Sequence, residues 1–160
     1  MLWLSFNSFR RRISILNNNI LHGFNLNSDY DQYERNLKWC NEEIILYIEN
    51  CSEDIMKNLL FIAKELINRQ FEWDEYARTF ISMKMLDSIN YWREDDEEQF
   101  TIKEIIGMLY LQSILITKDS NFIFSFDDKI IFRNHSSGRH YLLAEGNIND
   151  GFYEYDVSSD

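Results

Sequence analysis

Between Ile20 and Ile48 apolar and polar residues alternate along the chain. Phe24 and Leu26 flank Asn25, then Tyr33, Arg35, Leu37 and Trp39 share one parity, and Ile44, Leu46 and Ile48 share another. Period two puts every second side chain on one face of an extended backbone, and aromatic and β-branched residues suit that pleated surface, so the segment predicts strands. Cys40-Asn41-Glu42-Glu43 supplies a turn between the last two, which makes an antiparallel meander.

The period then lengthens. Ile55, Leu59, Ile62 and Leu66 recur at helical spacing and predict a first helix ending near Gln70. Ser52 reads as its N-cap, followed by Glu53 and Asp54, which complement the positive end of the helix dipole. A stripe of Trp73, Ala77, Phe80, Ile81, Met85 and Ile89 predicts a second helix over about 73–92, with Asp74, Glu75, Arg78 and Asp87 mostly off the stripe. The acidic run Glu94 to Glu98 must stay solvated, because adjacent like charges repel. Thr101 with Glu104 three residues later predicts a capping box on a short third helix.

Alternation returns after Met108. Strands are expected near 110–117, 121–126, 129–134 and 141–145, with Asp119-Ser120 and Asp127-Asp128 turning the chain. Strands, then helices, then strands joined by short links predict an α+β fold. Its antiparallel sheet comprises N- and C-terminal strand meanders, with two long central helices and one short helix packed on one face. The tail from Gly146 to Asp160 carries four acids and no basic residue, and its last few residues are expected to be mobile.

Composition adds bounds to this outline. The 160 residues include no proline and five glycines, so no linker divides them. Residues 1–19 read as a loose N-terminal arm and residues 20–160 as a single α+β domain. Hydrophobic residues make up 45% of the chain, yet no apolar run approaches the roughly 20 residues that span a bilayer. Arg10-Arg11-Arg12 follows a very short apolar run, the reverse of a secretory leader, so a cytoplasmic location is expected. Cys40 and Cys51 are expected to be free thiols. No CxxC pair accompanies the three histidines, and neither a metal nor a cofactor is expected.

The formal net charge is -11. Residues 1–20 hold three arginines and no acid, which leaves 27 acidic against 13 basic residues in the remainder. Such a surface repels phosphate backbones and acidic membrane faces, so nucleic acid is not expected as a partner, whereas a basic protein is complementary.

Candidate chemistry is sparse. Walker, GxGxxG, HExxH, GxSxG and EF-hand patterns are absent. The best local cluster is Asp127, Asp128, His135, His140 and Glu145, in which Asp128 and His135 form the candidate acid–base pair. Against it stands the ordinary use of adjacent acids in turns and of histidine as a structural side chain on a strand. Trp39, Trp73, Tyr76 and Trp92 offer an aromatic ligand pocket, although rings at such spacing more often fill a core. Arg10 to Arg12 beside Trp3, Phe6 and Phe9 offer contact with an anionic lipid surface, a weaker reading than a structural arm.

Several motifs together resemble a bacterial domain-of-unknown-function family from about Ile20 onward. They are Ala63-Lys64-Glu65-Leu66, Trp73-Asp74-Glu75, Phe126-Asp127-Asp128, Phe132, His135-Ser136 and Gly146-Asn147-Ile148. The resemblance implies the fold and no established reaction. Lys129-Ile130 stands where the family pattern has Gly-Asp, and Arg133-Asn134 where it has Trp-Gly, so the hairpin tip lacks an acid that a shared chemistry would need. The expectation is a non-enzymatic interaction module, of the kind that neutralises a basic toxin by covering it. The alternatives are an enzyme using Asp128 and His135, and a small-ligand binding module.

Overall fold

Both periodicities are realised in a computed structural model of the chain, which describes residues 22–91, 98–128 and 140–159. The first meander consists of β1 (Asn25–Asn27), β2 (Gln32–Trp39) and β3 (Glu42–Glu49). Only Cys40 and Asn41 separate β2 from β3, and Cys40 adopts φ 51. A two-residue hairpin with positive φ follows the natural twist of paired strands. It sets Trp39 opposite Glu42, so Glu42 and Glu43 open β3 and are not part of the turn as expected.

Three helices follow: α1 (Glu53–Asn68), α2 (Gln70–Tyr91) and α3 (Ile102–Met108). The chain then forms β4 (Leu109–Ile116), β5 (Phe122–Asp128), β6 (His140–Asn147) and β7 (Gly151–Ser159). All seven strands belong to one sheet in sequence order. The α+β class and the helix inventory match expectation, and the strand pairings are antiparallel except at the seam, where β3 and β4 run parallel. A parallel pair needs a crossover, and the three helices provide it.

The strands and helices close on one core. β5 contributes Phe122, Phe124 and Phe126, each with no measurable exposure, and its neighbour β4 adds Leu111, Ile114 and Ile116. Burying a side chain of this size stabilises the fold by about 1.5–3 kcal/mol. From α2, Trp73 meets Phe122 edge-on at 5.1 Å, and Phe152 of β7 packs within 6 Å of Trp73, Tyr76, Phe80, Phe122 and Phe124.

Asp127-Asp128, expected to turn the chain, instead end β5 opposite Tyr110 and Leu109, and local expectations are corrected in three other places. Ile55 is exposed while Met56 is buried, because the stripe of α1 is centred on Met56, Leu59, Ile62, Ala63 and Leu66. Ser52 occupies the N-cap, but its hydroxyl accepts no capping bond. The acidic tail is a nine-residue strand rather than a mobile end. Its alternation of Tyr153, Tyr155 and Val157 with Glu154 and Asp156 satisfies an edge position, where charge is tolerated. At Thr101 the capping box forms as expected: Glu104 N donates to Thr101 Oγ1, and Thr101 N donates to Glu104 Oε2 at 2.8 Å. The expected arm at 1–19 and the strand at 129–134 lie outside the described residues.

Candidate functional site

β5 and β6 carry the acids singled out from the sequence, and the strand register separates them. Asp127 lies opposite Tyr110 and Tyr141, on the face away from Phe126, and is 8% exposed. Glu145 lies opposite Ile123, four positions along the ladder from Asp127, a separation of about 13 Å at strand rise. There Glu145 accepts hydrogen bonds from Asn121 Nδ2 at 3.1 Å and from the Tyr153 hydroxyl at 3.0 Å. Asp127 and Glu145 therefore do not share a site. His135 lies outside the described residues, as do the side chains of Asp128 and His140.

The tryptophans belong to the core. Trp39 is 1% exposed and meets Phe124 edge-on at 5.6 Å. Trp73 is enclosed by Phe122, Phe152 and Tyr76. Trp92 lies outside the described residues.

A polar cluster that sequence reasoning did not assemble sits where the β2–β3 turn meets α2 and the start of β4. Arg78 Nε donates to Asp74 Oδ2 at 2.7 Å, and its Nη2 donates to Glu42 Oε1 at 3.0 Å. Its Nη1 donates to the carbonyl of Leu109, and its guanidinium lies over Phe126 at 5.4 Å. Both acids have further partners: Trp39 Nε1 donates to Asp74 Oδ1 at 3.1 Å, and Leu111 N donates to Glu42 Oε2 at 2.7 Å. Gln70 Oε1 accepts from Cys40 N at 2.6 Å. The Asp74–Arg78 spacing of four residues was a visible helix pair. Glu42 had no such signal, because it comes from a distant strand.

Burial disfavours the charge of Arg78, but the hydrogen bond and charge of Asp74, followed by those of Glu42, outweigh it and hold the guanidinium above its ordinary value. The neighbouring Cys40 thiol is pushed up to about 11, chiefly by burial and then by Asp74, with Glu42 adding to the rise and Arg78 opposing it. A thiol so raised is protonated near neutrality and is a poor nucleophile. With every charge partnered, this cluster is a structural tie.

An open concavity of about 730 Å³ lies between the end of α2 and the start of α3, lined by Leu86, Asn90, Phe100 and Ile102 among others. The Asn90 amide there is already bonded to the backbone of Phe100 on both sides, at 3.0 and 2.7 Å. Among the described residues, no group of three His, Cys, Asp or Glu side chains is placed to hold a metal ion. No described helix is long and apolar enough to cross a membrane.

A family model matches the chain over residues 18–156. The chain belongs to DUF2262, described as uncharacterized protein conserved in bacteria. No curated protein and no solved structure matches it. In this DUF2262 chain, the motifs noted in the sequence have structural work where they are described. Ala63, Leu66 and Trp73 are core residues, and Asp74 anchors the tie. Asn147 closes the β6–β7 turn by accepting from the amides of Asn149 and Asp150, both at 2.9 Å.

Proposed function

We propose that this protein is a non-enzymatic interaction module of the immunity kind, which covers a basic toxin with its acidic surface. The observation that carries the reading is the distribution of charge. The tie of Arg78 with Asp74 and Glu42 takes up two acids and one base, a small part of the chain's 27 acids against 16 basic residues, and many of the described acids are exposed. Exposed acids occur on the first meander (Asp29, Asp31, Glu43), on α1 and α2 (Glu53, Asp54, Glu72, Glu75, Asp87) and on β7 (Glu154, Asp156). Complementary fields of this kind speed encounter with a basic partner and select against acidic ones. A standard interface of about 800 Å² per partner is a small part of the 11044 Å² this chain exposes.

Affinity capture from a host lysate with the tagged full chain tests the reading. The expected result is retention of a basic protein at low salt and its release as ionic strength rises toward about 1 M, where the Debye length shrinks to about 3 Å. Co-expression then decides the immunity assignment: the captured protein should arrest growth alone and lose that effect beside this chain. Recovery of no protein at low salt would sink the proposal.

A further inference from the structure

β7 is the last strand of the sheet, so β6 pairs along one of its sides and no described strand pairs along the other. It runs nine residues, against three for β1 at the opposite edge. A long open edge is a template for another strand, and sheets commonly guard against this with proline, lysine, a bulge or a short edge. Gly151–Ser159 contains neither proline nor lysine. The register shift of the β6–β7 ladder falls at Glu145/Gly146, beside the turn, and leaves the run from Glu154 to Ser158 regular. Val157 N donates to Asp156 Oδ1 at 2.8 Å, an amide satisfied by a neighbouring carboxylate that an incoming carbonyl can replace.

We propose that the open edge of β7 is the docking site of the partner, which adds a strand in which lysine or arginine alternates with apolar residues. The proposal rests on the acidic-surface reading above and names the element that makes the contact. The alternation follows from the register. Glu154 and Asp156 align with Glu145 and Leu143 on the face away from the helices, whereas Tyr155 and Val157 align with Ala144 and Leu142 on the helix side. Tyr155 and Val157 are 40% and 39% exposed, leaving apolar surface beside the two acids. A strand lying against this edge meets negative charge on one face and apolar surface on the other, and main-chain bonds supply its register.

A second copy of the chain fits poorly. Antiparallel pairing of two β7 strands about Tyr155 sets Glu154 against Asp156 twice, and like charges directly opposite destabilise a pair. In that register the acids oppose self-association and favour a basic strand.

Calorimetric titration of the full chain with two peptides the length of β7 tests the proposal. Both peptides alternate lysine and valine, and one is N-methylated at every valine, which keeps charge and removes backbone donors. The unmethylated peptide should bind, and methylation should weaken it at least about tenfold through lost hydrogen bonds. Replacing both Glu154→Lys and Asp156→Lys should abolish its binding. Equal binding of the two peptides overturns strand addition. If the double variant then loses both, the β7 acids bind by charge alone; if it retains both, acids elsewhere on the surface carry the binding, and in either case the acidic-surface reading stands without β7 strand addition. Failure of the unmethylated peptide to bind, or dimerisation of the chain through β7 in sedimentation equilibrium, also overturns the proposal.

Discussion

Cys40 shows how a single residue's chemistry is set by neighbours remote in sequence. Its thiol is raised to about 11, mainly because it is removed from water at the β2–β3 turn. Alkylation by iodoacetamide in a Cys51→Ser background should therefore be slow at pH 8 and accelerate toward pH 11, whereas an unfolded control should accelerate near pH 9, the ordinary thiol value. A rate at pH 8 equal to that of the unfolded chain would show that the thiol is not held in this environment. The same shift links to stability. The folded state disfavours the thiolate, so the contribution is complete below the unfolded pKa and is lost as pH rises through the window between 9.0 and about 11. The sequence showed a pair of free thiols here, but not the left-handed turn or the carboxylates around one of them.

At the scale of elements, local signals were legible where their interaction partners lay within a few residues. The Thr101–Glu104 box is such a case, since every atom it uses lies within one helical turn. Thr101→Ala should lower stability by about 1 kcal/mol, measured by urea denaturation, with Thr101→Ser, which keeps the capping hydroxyl, avoiding most of the loss. An unchanged midpoint for the alanine variant would mean that α3 is held by its packing alone. The tail was misread for a complementary reason. Its acids suggested solvation, but its pairing with β6 and the insertion of Phe152 among five rings depend on residues contributed by α2 and β5. Glycine has a positional role in the same hairpin. Gly151 has φ 74, and a Cβ on it would lie 2.6 Å from the Tyr76 ring; a Cβ on Gly146 would lie 2.5 Å from the Gly151 carbonyl oxygen. The Gly-Asn segment therefore reads as a close-packed turn, a feature visible in the sequence only as a motif.

For the whole molecule, the Arg78 tie joins parts of the chain 31 to 36 residues apart. Arg78→Met should leave Asp74 and Glu42 partly buried without their cation and cost about 3 kcal/mol, near the lower end for a broken buried pair. Chemical denaturation should show the loss, and Arg78→Lys should recover only part of it because a single ammonium cannot reproduce the guanidinium fork. A methionine variant as stable as the parent would show that the acids reach solvent without the arginine. The tie also sits at the parallel seam, where it fastens the first meander, the crossover helix and the second meander at one corner.

The sequence by itself determined the order and type of nearly every described element, because periods of two and 3.6 residues are written into the choice of each side chain. It also determined the charge balance, which needs no coordinates. Tertiary structure decided what lies beside what: the parallel meeting of β3 and β4, the meeting of Glu42 with Arg78, the distance between Asp127 and Glu145, and the place of β7 at the edge of the described sheet. Those depend on which distant segments exclude water together, and no local pattern encodes the partner of a strand or the acceptor of a buried guanidinium.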